Sequence, residues 1–383
     1  MIKQTTTILL ALILAATMPG AIVAADTIKI GFNAPLTGFA ASDGKSSTEG
    51  AKLAVDQVNA AGGVLGKQLE LVVYDDQAKP AQAIPIANKL IGRDKVVVGI
   101  SGSYSGATRS AAGVFQDAKI PYISAYAIHP DITRAGDHVF RTSFLGEIQG
   151  KAGAKLIGEM LGKKKVVMIT LQNDFGQSLA AGFRSIASTY GITVAAEYQY
   201  SIKDRQFGAI VAKVKSDDPE AIYASGYYFT AGPLVSQLRA AGVACPIIGQ
   251  EGYDSQKFIE IAGEASEGVI ITTSLDRDSK VPVTADFIRA FEAQAGFKAD
   301  MVAASGHTAV MVAADAIRRA GSTDPEALLT AIRETDLEVS TGTIRFNALG
   351  EVMKAVQVQV VKDGNWHHYA VIDDPDLLAP PDK

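Results

Sequence analysis

The sequence has a single cysteine, Cys245, and a single tryptophan among 383 residues. One thiol cannot close an internal disulfide, so no disulfide framework supports the fold. Cys245 stands in the apolar run Cys245-Pro246-Ile247-Ile248 and reads as a small buried hydrophobe. Charge of one sign is not in excess: 36 Lys and Arg face 41 Asp and Glu, a net −5, which argues against a nucleic-acid surface. Beyond the extreme N-terminus, no segment is long and apolar enough to span a bilayer.

Common catalytic signatures are missing as well. No G-x-G-x-x-G follows the first predicted strand, and no phosphate loop with Gly-Lys-Ser/Thr occurs. Gly102-Ser103-Tyr104-Ser105-Gly106 misses the nucleophile elbow, because Tyr104 rather than serine stands at its centre. The five histidines (His129, His138, His307, His367 and His368) lie at no metal-ligand spacing and read as solvated or capping residues. His367 and His368 fall on one predicted strand, which puts them on opposite faces. No nucleophile, base and orienting group can be assembled from spacing. Neither a metal nor a cofactor is expected.

What is present begins with an export signal. Met1-Ile2-Lys3 is followed by an apolar run over 8–16 and by Val23-Ala24-Ala25, a small-x-small cleavage site. Residues 1–25 are therefore predicted to be removed, and loss of Lys3 takes the net charge to −6. No cysteine near the cut offers a lipid anchor. The mature chain is long for one domain, so two are expected.

Along the chain, short apolar runs alternate with helical patterns. Strands are predicted at 27–32, 69–74, 96–100, 120–124 and 139–142, with helices at 49–60 and 80–91 and one running up to Lys119. Residues 43–48 read as a polar segment ahead of the first helix. The pattern then starts over. Strands are predicted at 166–170, 192–198, 221–224, 246–249 and 269–272, and helices at 150–161, 176–190, 207–215 and 231–241. Helices at 286–295, 303–320 and 325–334, a strand at 342–346 and a β pair at 353–361 and 367–372 complete the reading. The tail over 374–383 is Pro- and Asp-rich and is expected to be disordered. Alternating strands and helices imply parallel sheets with helices on both faces. Two successive sets imply two such domains, although no internal sequence repeat is evident.

In open parallel sheets, the loops after strand C-termini line the ligand crevice. The organising stretch is 96–130. There a strand runs into a Ser/Gly-rich turn that opens a helix, and the next strand runs into Ala125-Tyr126-Ala127-Ile128-His129-Pro130. A turn opening a helix leaves N–H groups free at the positive end of the helix dipole, which suits a carboxylate. In the second half, Asn173-Asp174-Phe175-Gly176, Ser225-Gly226-Tyr227-Tyr228 and Gln250-Glu251-Gly252-Tyr253 all follow predicted strands. Each aromatic there could equally belong to the core, and Glu251 could serve as a helix cap.

Together these residues resemble the periplasmic solute-binding proteins of branched-chain amino acid ABC importers. The resemblance rests on Ile30-Gly31 through Gly38, Glu49-Gly50-Ala51 with Asn59-Ala60-Ala61-Gly62-Gly63, Tyr74-Asp75-Asp76 and Ala87-Asn88-Lys89-Leu90. It continues through 124–133, Phe140-Arg141-Thr142 and Glu251-Gly252 with 262–268, and so covers the mature chain. The resemblance implies an α/β fold of two doubly wound parallel-sheet lobes joined by a three-strand hinge. It places 26–142 plus 274–350 in the first lobe, 143–273 plus 351–377 in the second, and 378–383 in a flexible tail. It also implies a periplasmic monomer, without enzymatic activity, that captures an amino acid or related small carboxylate and delivers it to an ABC permease.

By the same resemblance, Ser105 binds the ligand's carboxylate, and 126–128 (Tyr126, Ala127, Ile128) supply a carbonyl and a hydroxyl to its ammonium. Phe175 stacks on it, Tyr227 contacts it from the second lobe, Glu251 binds the ammonium, and Asp43 lies on the first-lobe side wall. Two departures stand out. Ile128 brings a methyl-rich side chain where the family has a hydroxyl, which removes a charged hydrogen bond of about 1.5–3 kcal/mol. The loop over 101–106 also has about two extra residues compared with the family. Alternatives left open are a signalling receptor's binding subunit, a binder of aromatic acids or amides, and a secreted hydrolase using the Ser103/Ser105 turn.

Overall fold

The structure, a computed structural model, describes residues 27–381. The export signal proposed for 1–25 lies outside the described residues. Five strands, β1 (Ile28–Ala34), β2 (Leu69–Asp75), β3 (Val98–Ser101), β4 (Tyr122–Ser124) and β5 (Val139–Arg141), form a parallel sheet in the order β2-β1-β3-β4-β5. The next five, β6 (Lys165–Leu171), β7 (Thr193–Tyr200), β8 (Ala221–Ala224), β9 (Ile247–Gly249) and β10 (Ile270–Thr273), repeat that order as β7-β6-β8-β9-β10. A short hairpin of β11 (Leu337–Val339) and β12 (Gly342–Ile344) stands apart from both sheets. β13 (Val356–Lys362) and β14 (Asn365–Ile372) then extend the second sheet to seven strands, antiparallel at that edge.

The central strands are buried on both faces, as parallel sheets covered by helices must be. The covering helices are α1 (Ala41–Ala60), α2 (Pro80–Lys89), α3 (Ser105–Asp117), α4 (Gly146–Lys155), α5 (Asp174–Ile186), α6 (Gly208–Asp217), α7 (Tyr228–Ala240), α8 (Gln256–Ala262), α9 (Pro282–Ala295), α10 (Met301–Ala320), α11 (Pro325–Arg333) and α12 (Pro375–Leu378). The chain passes between the sheets at 142–145, 274–281 and 345–355. After the second passage, α9 and α10 return to pack on α1, beside the first sheet.

Each half is locked by one close helix crossing. In the first, a Cβ on Gly50 of α1 would lie 2.0 Å from the carbonyl oxygen of Ala303 on α10. In the second, a Cβ on Gly182 of α5 would lie 2.0 Å from the carbonyl of Glu147 on α4. Only glycine lets these backbones approach so closely.

Several details differ from the sequence reading. α1 begins at Ala41, so the polar segment 43–48 is helical and largely buried. Its hydroxyls find partners locally and across the lobe: Thr48 Oγ1 donates to Gly44 O at 2.7 Å, Ser46 Oγ to Asp300 at 2.6 Å, and Ser47 Oγ to Gly102 O at 3.3 Å. α8 was not anticipated; its start is capped by Ser255 Oγ, which accepts from the Lys257 N–H. The tail is not wholly irregular. α12 buries Leu377 and Leu378, and Lys155 on α4 pairs with Asp374 at 3.0 Å. The rings of His367 and His368 both reach the same crossover segment, through Asp278 and Asp276 respectively. His367 and His368 stand opposite Val360 and Gln359 in consecutive register, and the β13–β14 register shift lies just beyond them, between Gln359 and Val358. Cys245 is half-buried against the core.

Candidate functional site

A narrow cleft with about 20 Å³ of free volume lies between the sheets. That is room for about one water molecule, because the side chains of the two halves meet across the cleft. It is lined by Asp43, Tyr104, Ser105, Tyr126, Ala127, Met301 and Val302 from the first half, and by Phe175, Tyr227, Glu251 and Gly252 from the second. Except for the pair from α10, these residues follow the C-terminal ends of β1, β3, β4, β6, β8 and β9, where open α/β sheets place their ligands.

Seven of the eight residues predicted from sequence meet in this cleft. The exception is Ile128. It is fully buried, and its Cδ1 packs towards Gly146 at the start of α4. It meets the site only through its backbone, whose N–H donates to Ser105 Oγ at 3.3 Å. The side chain at this position therefore does not line the cleft. The carbonyl of Ala127 is also engaged: it accepts from Arg141 Nη1 at 2.5 Å and from Ser124 Oγ at 3.1 Å.

The sequence reading missed Tyr104, Gly252, Met301 and Val302 as site residues. Tyr104 stands at the N-terminal boundary of α3, and Tyr227 holds the same place ahead of α7. Their rings stack across the cleft with centroids 4.1 Å apart and planes 4° from parallel. Phe175 also stacks on Tyr227, at 4.8 Å. Across the cleft mouth, Phe39 meets Phe229 edge-on at 5.4 Å, and the Tyr228 hydroxyl donates to Phe39 O at 3.2 Å. The tie between the N-cap positions of equivalent helices was the one signal that could have pointed to Tyr104.

The site holds two buried carboxyl groups. Asp43 is 4% exposed and accepts from the Tyr104 hydroxyl at 2.7 Å. Burial pushes its pKa up to about 8; the Tyr104 hydrogen bond opposes the rise, and Asp300 and Asp254 add to it. Glu251 is 3% exposed, and its Oε2 is buried without a hydrogen-bond partner. Burial raises it to about 8 against the pull of Lys354, which burial in turn lowers to about 7. Lys354 lies in the third crossover and donates to Thr142 O, in the first, at 3.0 Å.

Ser105 opens α3. Its N–H and those of Gly106 and Ala107 precede the first intrahelical bond, from the Thr108 N–H to Tyr104 O. These N–H groups, at the positive helix end beside the cleft, suit an anion. Neither serine of the turn bonds to a histidine: Ser103 Oγ donates to Asp76 at 3.0 Å, and Ser105 Oγ accepts from Ile128. A hydrolytic Ser–His arrangement is thus not assembled there.

Known proteins match this architecture. The family model described as "Periplasmic binding protein" matches residues 27–365. The leucine-, isoleucine-, valine-, threonine-, and alanine-binding protein of Pseudomonas aeruginosa is 33% identical over 86% of this chain and 88% of its own. A Leu/Ile/Val-binding protein homolog of Brucella melitensis is 32% identical over 88% of this chain and 92% of its own. Among solved structures, the branched-chain amino acid transporter substrate binding protein LivJ of Streptococcus pneumoniae, in complex with isoleucine, superposes with a TM-score of 0.85. It is 30% identical and covers 91% of this chain and 99% of its own. The chain belongs to the periplasmic binding protein family.

Proposed function

We propose that this protein is the solute-binding component of an ABC importer. It captures an amino acid or a related small carboxylate between two lobes and presents the closed form to a membrane permease. The observation that carries this reading is Glu251, a buried acid whose Oε2 is unpartnered, in one cleft with the free N–H groups opening α3. An α-amino acid complements that pair. Its carboxylate meets the α3 N–H groups and Ser105, and its ammonium meets Glu251. Phe175, Tyr227 and the α10 residues Met301 and Val302 bury the remainder. The 32–33% identical relatives named for branched-chain amino acids support this class of ligand.

In this reading the lobes are 26–142 plus 274–350 and 143–273 plus 351–377, and the protein acts as an exported periplasmic monomer. Cleavage after Ala25 is checked by the mass of the secreted protein. Calorimetry of the mature protein against the common amino acids tests the function. Binding by at least one, weakened tenfold or more in Glu251→Gln, is the expected result. No binding by any of them, or wild-type affinity in that variant, overturns it.

A further inference from the structure

The two acids of the cleft come from opposite halves of the molecule. Asp43 comes from α1 in the first half, and Glu251 follows β9 in the second. Asp300 and Asp254 add to the rise at Asp43, whereas Lys354 and Arg141 oppose the rise at Glu251. If Glu251 takes the ammonium, as the proposed function requires, Asp43 is left for the rest of the ligand. Among the described residues, Asp43 has no ion-pair partner, and Tyr104 holds it by a single hydrogen bond at 2.7 Å.

We propose that Asp43 and Tyr104 form a polar end of the cleft that selects amino acids bearing an uncharged hydroxyl or amide over the purely aliphatic leucine, isoleucine and valine. An aliphatic ligand end placed against a buried carboxyl leaves its remaining hydrogen-bonding capacity unmet, and unmet buried polar groups are costly. Burial keeps Asp43 protonated near neutrality, so it both donates and accepts. A hydroxyl or an amide does the same, and the pair closes without net charge. Sites built to hydrogen-bond a substrate group reject analogues lacking it far more strongly than apolar pockets reject an added group.

Threonine and valine provide the sharpest test, because they differ by a hydroxyl for a methyl at nearly constant shape. Calorimetry of the mature protein is expected to give threonine at least a tenfold lower Kd than valine. In Asp43→Leu the ratio should fall to within threefold or invert, and retained valine binding shows that this variant is folded. Wild-type protein that binds valine as tightly as threonine overturns the proposal, whether or not the variant folds. So does a threonine preference that persists unchanged in Asp43→Leu. These outcomes leave the proposed function standing. Failure to bind any amino acid removes both.

Discussion

The two halves of the molecule are variations on one plan. Both sheets share the strand order second-first-third-fourth-fifth, and both are locked by a helix crossing that tolerates only glycine. Equivalent loops reach the cleft from each side. The element after the first strand brings Asp43 in one half and Phe175 in the other. The loop after the third strand brings Tyr104 and Ser105 against Tyr227, and the loop after the fourth brings Tyr126 and Ala127 against Glu251 and Gly252. The equivalent tyrosines stack on each other, yet their hydroxyls find different partners: Tyr104 donates to Asp43, while Tyr227 accepts from Asn173 at 3.4 Å. The backbone plan is repeated, and the chemistry is divided. The first half brings the opening of α3 and the Asp43–Tyr104 pair to the cleft, and the second brings Phe175, Tyr227 and Glu251, whose Oε2 is unpartnered.

The ends of the fifth strands extend this comparison and carry its largest expected effect. β5 ends on Arg141, fully buried and paired with Glu351 through Nε at 2.8 Å and Nη2 at 3.1 Å. β10 ends beside Asp254, which takes hydrogen bonds from Thr273 and Arg277. Removing one partner of a buried pair costs about 3–5 kcal/mol, because the other charge is stranded. Arg141→Met should therefore lower unfolding stability by that amount. Arg277→Met should cost less, since Arg277 keeps 14% of its side chain exposed. Denaturant titration that ranks the two in the opposite order would break the parallel.

The glycine crossings come next. Gly50→Ala and Gly182→Ala should each destabilise by about 1–3 kcal/mol, the usual cost of overpacking. A thermal melt in which only one of them loses stability would mean that the halves are locked differently. For ligand binding, Ser105→Ala and Glu251→Ala should each weaken affinity tenfold or more, about 1.4 kcal/mol, without unfolding the chain. Calorimetry that finds both variants at wild-type affinity would remove the cleft as the site.

Acidity offers a way to weigh one lobe against the other. Asp43 and Glu251 both have raised folded-state pKa values. Their contribution to stability is full below about pH 4, the ordinary carboxylate range, and is lost as pH rises through about 8. Lys354 has the opposite sign: its contribution is present above its ordinary value of 10.5 and is lost as pH falls through about 7. The melting temperature of the free protein should thus decline between about pH 5 and pH 7. Asp43→Asn and Glu251→Gln should each make that decline shallower, by a few degrees overall. An unchanged slope in both variants places the titration elsewhere. The smallest effect belongs to the stack. Tyr227→Leu should cost about 0.5–1.5 kcal/mol beyond lost area, read by chemical denaturation of the free protein.

Much of this was legible in the residues. Apolar runs of four to eight residues ending in small polar groups marked the central strands, because a strand covered on both faces must be apolar throughout. Their loops could then be placed at one edge, which singled out 101–106, 173–176, 225–228 and 250–253, whereas the roles given to Ser105, Phe175, Tyr227 and Glu251 came from the family resemblance. The segment 43–48 was misread because its polar residues look like a loop until their partners, Asp300 and Gly102, arrive from elsewhere in the chain.

The sequence by itself determined the alternation of strands and helices, hence the two sheets and the edge at which a ligand can sit. Periodicity is a local property, and burial on two faces writes it directly into residue choice. Only the tertiary structure decided that Tyr104 crosses the cleft to Tyr227, that Ile128 turns away, and that Arg141 meets Glu351. These outcomes depend on the relative placement of segments up to 210 residues apart. A side chain's direction there is set by what packs against it, which no local pattern encodes.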